Sequence, residues 1–251
     1  MGRPPRGAAR RVGGGVTAID GSGVQGSSPT GGGVFIVLEG GDGAGRSTQV
    51  RALLLRLEEA GRATLHVGLG RSALARRALA AYRRTPEGGV RTLALLYASD
   101  LRDQAEPVRR ALAAGFAVVA DRWSAAATAR CRVRGADPGW LAAILPTEPD
   151  PDVTLHLRAS PQQRLAREVR KRGVPDFWES GRDLGLHPDP LRSFVRYQSL
   201  LDREYAREAV ASGARWRDVE TAGGVEAVRA AIAATVLDLL PAGTAAVTEH
   251  G

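Results

Sequence analysis

Short apolar runs alternate along this chain with longer stretches in which apolar residues return every three or four positions. The runs fall at 34–39, 63–68, 116–121, 153–158 and 215–220. The first, Val34-Phe35-Ile36-Val37-Leu38, is continuous rather than alternating, which predicts a strand buried on both faces of a parallel sheet. Helical spacing covers 46–60, 71–84, 90–113, 137–145, 161–172, 190–211 and 223–239. In the first of these, Val50, Leu53, Leu54 and Leu57 share one face, and Gly61 marks the stop. Strands alternating with helices predict an α/β fold with a five-stranded parallel sheet flanked by helices. Ligands in such folds gather beyond the carboxyl ends of the strands. The residues just past each strand are therefore the informative ones.

After the first strand comes Gly40-Gly41-Asp42-Gly43-Ala44-Gly45-Arg46-Ser47. It fits the phosphate-binding pattern G-x-x-x-x-G-K-[ST] at every fixed position except one, where Arg46 replaces lysine. Glycine backbone can turn through positive φ and approach a phosphate closely. The free N–H groups and dipole at the start of the next helix then hold the anion. The Ser47 hydroxyl is placed for Mg²⁺. The candidate ATP-binding set is Gly40, Asp42, Gly43, Ala44, Gly45, Arg46, Ser47 and Thr48, and the architecture is P-loop NTPase-like. After the third strand stands Asp121-Arg122-Trp123. An acid at that strand end can hold Mg²⁺ beside the P-loop serine, and an arginine can clamp a second phosphate; a surface Asp–Arg pair is the plainer alternative.

Arg46 leaves two readings open. Arginine keeps the positive charge but is planar and forked where lysine is a point charge, so the exchange is not conservative. Yet Lys171 is the only lysine in the chain, and a general preference for arginine accounts for the change equally well. One reading is an active phosphotransferase. The other is a nucleotide-binding module with attenuated or lost transfer, acting through a partner.

Composition narrows the field. The formal charge is +8, with four arginines against one aspartate in residues 1–33. That leaves a net of +5 for the rest, which suits a protein handling polyphosphates. Scattered arginines and only 5% aromatic residues argue against a nucleic-acid partner. The single cysteine, Cys131, excludes a disulfide framework within the chain and a cysteine metal cluster. No apolar run approaches the ~20 residues that span a bilayer, and the N-terminus lacks a signal peptide's apolar core. A cytoplasmic protein is expected. Gly/Ser/Pro/Arg-rich residues 1–33 predict a disordered tail, 34–240 the folded domain and 241–251 a C-terminal tail.

Taken together, these segments resemble the thymidylate kinase family of nucleoside-monophosphate kinases. Leu38-Glu39-Gly40-Gly41-Asp42-Gly43-Ala44-Gly45-Arg46-Ser47-Thr48-Gln49 is similar to the family's FEGxDGxGKSTQ, and Leu95-Leu96-Tyr97-Ala98-Ser99-Asp100 to its LLFAADR. Asp121-Arg122-Trp123 is similar to DRY, and Pro151-Asp152-Val153-Thr154-Leu155-His156-Leu157 to PDLTLYL. The runs Asp176–Leu184 and Phe194–Gln198, with Gly68-Leu69-Gly70-Arg71-Ser72 after the second strand, resemble a divergent branch that carries GRST in its P-loop. The resemblance spans about Val34 to Leu240. It implies transfer of the γ-phosphoryl of ATP to dTMP with Mg²⁺, nucleotides as the small-molecule partners, a lid segment over ATP, and a homodimer. It assigns transfer to Arg46, Asp121, Arg122 and Arg172, the metal to Ser47 and Asp121, and the acceptor to Arg71, Tyr97, Arg102, Arg122 and Arg130.

The chain departs from the family in three places. Arg71 is the nearest substitute for the arginine of the usual Arg-Glu-Pro-Gly. Leu101 stands where an arginine is usual and Arg102 comes one residue later, ~100° around a helix. The polar residues after DRY are replaced by Ser124-Ala125-Ala126-Ala127, which leaves Arg130 as the next polar group. Tyr97 reads equally as core or as a stacking platform. Arg167, Arg170, Lys171 and Arg172 read as a solvated helix end or as part of the lid. Trp178, Phe194 and Tyr197 read as core; Glu179 and Asp183, four positions apart, read by default as exposed acids or, if helical, as a pair facing the site.

Overall fold

The computed structural model describes residues 32–84, 88–145 and 149–240. Every residue of β1 (Val34–Glu39) is buried, because β1 is the middle strand. It is flanked by β3 (Ala117–Asp121) and β4 (Val153–Arg158), with β2 (Thr64–Gly68) and β5 (Trp216–Glu220) at the edges. The sheet order is β2-β3-β1-β4-β5 and all pairings are parallel. The register sets Leu38 beside Asp121, so β1 and β3 end together. The five expected strands are all present. Apart from Arg158 at the end of β4, the exposed strand positions lie on the edge strands β2 and β5, whose sequences are correspondingly mixed.

Alternation along β1 divides the core. Phe35 and Val37 pack with Leu93, Ala94, Tyr97 and Leu101 of α3 (Val90–Ala113). Val34, Ile36 and Leu38 pack with Val50, Leu53 and Leu57 of α1 (Arg46–Glu59) and with Val228, Ile232 and Val236 of α8 (Gly224–Leu237). At ~25 cal/mol per Å² of apolar surface, each buried aliphatic side chain contributes about 1.5–3 kcal/mol. The two layers clamp β1, and with it the loop that leaves β1.

Two helical expectations change. Helix α4 (Ser124–Val133) was not foreseen. Its buried residues are Ala126, Ala127, Ala129, Arg130 and Cys131, small or polar positions that carry no recognisable apolar period. The stretch expected as a helix over 71–84 is helical only in α2 (Arg76–Tyr82). Gly70 turns the chain at φ 82°, and Ser72 Oγ accepts the Ala75 N–H (2.9 Å), so residues before α2 form a turn. The remaining helices are α5 (Pro138–Ile144), α6 (Pro161–Arg172) and α7 (Pro190–Ser212). Helix α6 opens on a capping box made by Ser160 and Gln163.

The N-terminal tail was expected to run to Gly33, yet the Gly33 N–H already donates to Leu112 O (3.1 Å). Residues 1–31 and 241–251 lie outside the described residues. No helix among the described residues is long and apolar enough to cross a membrane.

Candidate active site

The loop from Gly40 to Ser47 joins β1 to α1. Gly43 has φ 79°, and a Cβ there would sit 2.5 Å from Arg164 O on α6. Gly40 has φ 140°, and a Cβ would meet Leu157 O of β4 at 2.8 Å. Only glycine lets the loop lie this close to both elements.

Arg46, the first residue of α1, turns back on its own loop. It is 8% exposed. Its Nη1 donates to Gly40 O (2.6 Å) and Gly41 O (2.5 Å), while Nε donates to Asp121 Oδ1 (3.0 Å). The other carboxylate oxygen, Asp121 Oδ2, accepts from Ser47 Oγ (3.2 Å). Burial alone would raise the Asp121 pKa, but Arg46 and Arg122 together outweigh it and hold it below its ordinary value. No cluster of three or more His, Cys, Asp or Glu able to hold a metal occurs among the described residues. One carboxylate beside one hydroxyl nevertheless fits Mg²⁺, which takes its remaining ligands from phosphates and water.

Asp42 is the second buried acid of the loop. Its Oδ1 pairs with Arg122 and lies 3.6 Å from Arg130 Nη2. Gln198 on α7 closes the other side: Nε2 donates to Asp42 Oδ2 and Oε1 accepts the Asp42 N–H, each at 3.1 Å. Desolvation works to raise the Asp42 pKa, but Arg122, Arg130 and Arg46 hold the carboxyl well below the usual range. Arg122 adopts φ 68°, the left-handed region that non-glycine residues rarely occupy. Glu39, the last residue of β1, ties down the beginning of α4. Its Oε1 accepts the N–H groups of Trp123 (2.9 Å) and Ala126 (3.2 Å), and burial pushes its pKa up.

Two clefts open around these residues. The larger, about 600 Å³, is lined by Asp42 to Gln49, by Asp121 and Arg122, and by Arg167, Lys171 and Arg172 of α6. The smaller, about 70 Å³, is lined by Tyr97, Arg122, Arg130, Arg134, Trp178 and Tyr197. Asp42, Arg122 and Glu179 belong to both. In the smaller cleft, Arg134 Nε donates to Asp183 Oδ2 (2.7 Å) and Nη1 to Tyr197 Oη (2.9 Å). Its guanidinium stacks 4.9 Å from the Trp178 ring and 5.1 Å from the Tyr197 ring.

A sequence model described as thymidylate kinase matches residues 38–179, a span that runs from the end of β1 to the Trp178 segment. The chain belongs to the thymidylate kinase family. It is 29% identical over 213 residues to a thymidylate kinase of Chlorobium luteolum, an alignment covering 81% of this chain and 96% of that one. It is 30% identical over 203 residues to a thymidylate kinase of Magnetococcus marinus, covering 75% and 96%. A protein described as probable thymidylate kinase 2 from Saccharolobus solfataricus is 31% identical over 120 residues, covering 47% and 56%.

The structure sorts the residues proposed from the sequence. Asp42, Gly43, Ala44, Gly45, Arg46, Ser47 and Thr48 line the larger cleft, as do Asp121, Arg122 and Arg172. Gly40 stands behind the loop, its carbonyl held by Arg46. Tyr97 and Arg130 line the smaller cleft with Arg122. Arg71 lines neither cleft; its Nη2 lies 4.0 Å from Asp121 Oδ2. Asp100 holds the Arg71 loop by accepting the N–H groups of Gly70 (2.6 Å) and Ser72 (3.0 Å). Arg102 is exposed on α3 and lines neither cleft, as its displacement by one position implies. Arg172 pairs with Glu168 (2.5 Å) and Glu179 (2.9 Å).

Tyr197 is core, as expected, at 2% exposure, and with Trp178 it also lines the smaller cleft. Of the two acids, Glu179 faces both clefts, and the Asp183 side chain is buried against Arg134 rather than exposed. Arg134 and Gln198 were not singled out. Gln198 meets Asp42 across 156 residues of sequence, a separation that leaves no local signal.

Proposed function

We propose that this member of the thymidylate kinase family transfers the γ-phosphoryl group of ATP to dTMP, forming dTDP. The carrying observation is that the P-loop cleft and the aromatic, arginine-lined cleft share Asp42 and Arg122. A donor phosphate in one and an acceptor phosphate in the other would meet at that shared wall. Such transfer needs positioning and charge neutralisation more than a strong base. In this reading the loop N–H groups and Arg46 hold the ATP phosphates, and Arg122 orients the acceptor phosphate. Tyr97 and Arg130 shape the acceptor end, and Arg172 comes from the lid side. Ser47 and Asp121 would hold Mg²⁺, which when bound neutralises charge on the transferring phosphates. The buried thiol of Cys131, pushed up to about 12 by desolvation, takes no part.

The same reading takes residues 34–240 as one kinase domain, working as a cytoplasmic homodimer. An ADP-release assay across dTMP, dUMP, UMP, CMP and GMP tests it, with dTMP expected to give the highest kcat/KM. ATP binding without turnover of any acceptor would instead support the attenuated nucleotide-binding module. In the same assay Asp121→Asn should lower kcat on the order of 10²-fold with a much smaller change in ATP affinity.

A further inference from the structure

We propose that Arg46 is a brace as well as a phosphate ligand, a double task that the lysine usual at this position cannot perform. The inference rests on the kinase reading for its catalytic consequence and on geometry alone for the brace. Two of the three guanidinium nitrogens are committed inside the protein. Nη1 satisfies the carbonyls of Gly40 and Gly41, and Nε holds Asp121 Oδ1 at 3.0 Å. Among the described residues, Gly40 O has otherwise only a long contact from Tyr205 Oη (3.4 Å), and Gly41 O only the Ala44 N–H (3.3 Å). Buried carbonyls left without a good donor are costly, so Arg46 supplies the loop's inner hydrogen bonds.

Nη2 has no acceptor among the described residues, and Arg46 lines the large cleft. That nitrogen is left for a phosphate oxygen. Lysine carries one nitrogen at the end of a flexible stem. Its three donors all leave that single point, whereas here the aspartate, the carbonyls and the open cleft are met by three different nitrogens spread across a planar fork.

The brace also orients the metal-binding acid. With Oδ1 held by Arg46, Asp121 turns Oδ2 toward Ser47 Oγ (3.2 Å), the two donors assigned to Mg²⁺. Arg46 is thus a positioning residue for Asp121 in addition to its contact with nucleotide. Further positive charge on the cleft wall comes from Arg122, Arg167, Lys171 and Arg172.

Arg46→Lys, made in the full chain, keeps the charge and removes the fork. The expected result is a loss of kcat on the order of 10²-fold, the scale of a small misplacement of reacting groups. The Mg²⁺ concentration for half-maximal rate should rise several-fold, the KM for ATP should change less, and the Tm without ligand should fall. Equal or faster turnover with unchanged Mg²⁺ dependence and Tm would overturn the brace. Should Arg46→Lys fail to fold, Asp121→Asn reads the same link: its ligand-free Tm is expected to fall, and an unchanged or higher Tm overturns the proposal. These melting readouts need no turnover. A wild-type chain inactive on every acceptor would sink the kinase reading while leaving the brace to be judged by Tm and by the Mg²⁺ dependence of ATP binding.

Discussion

Asp42 and Asp121 are buried acids whose charge is kept by arginines, whereas Glu39, at the end of β1, is buried and pushed the other way. The signs of their pH effects therefore differ. Asp42 has a folded pKa below its ordinary 3.8. Its stabilisation is complete above that value and is lost as pH falls through the folded value. Glu39 has a folded pKa above its ordinary 4.5, so its contribution is complete below 4.5 and is lost as pH rises. Acid unfolding below about pH 4 should accordingly come from the arginine-paired aspartates, Asp42 among them. Asp42→Asn leaves Arg122 and Arg130 short of their partner and should cost roughly 3 kcal/mol at neutral pH. It should also flatten the decline of Tm as pH falls below about 4; a decline parallel to that of the wild type would show that Asp42 is not an ionised anchor. The loop glycines, Ser47 and the Asp121-Arg122 pair were legible as residues because their chemistry needs only a short motif. The inward turn of Arg46 was not, because its acceptors are backbone carbonyls and a carboxylate on another strand.

At the scale of elements, the strands and the long helices are legible from periodicity, and α4 shows where periodicity fails. A buried face of small or polar residues leaves no apolar stripe to read, so the helix carrying Arg130 went unforeseen. The connection from α6 to α7 is similar. Its Trp178 looks like a core aromatic, but it caps the smaller cleft, stacking on Tyr82 with ring centroids 5.2 Å apart and donating its Nε1–H to Arg83 O. The space left in that cleft, about 70 Å³, is well below the ~300–1,000 Å³ typical of small-molecule sites, so Trp178 helps set what can enter. Trp178→Ala should widen the cleft and weaken its grip on a pyrimidine. The ratio of kcat/KM for dTMP over GMP is expected to fall roughly tenfold, within the range that one hydrophobic pocket contact supplies. An unchanged ratio in steady-state assays would remove Trp178 from acceptor recognition.

For the whole molecule, the sheet order brings the ends of β1 and β3 together at the mouth of both clefts. The large apolar side chains of Leu74 (70% exposed) and Leu95 on α3 (52%) remain open to solvent. Sedimentation equilibrium is expected to give twice the chain mass; a monomeric wild type at micromolar concentration would reject the proposed homodimer. The sequence by itself determined the α/β class, the parallel strands, the P-loop and the family resemblance, because strand burial, helical spacing and phosphate chemistry are written in neighbouring residues. Only the tertiary structure decided that Gln198 clamps Asp42, that Arg134 and Trp178 close the smaller cleft, and that Arg46 ties its loop to Asp121. Those contacts join residues tens to more than a hundred positions apart or depend on where a side chain turns, and folding alone brings their partners within hydrogen-bond distance.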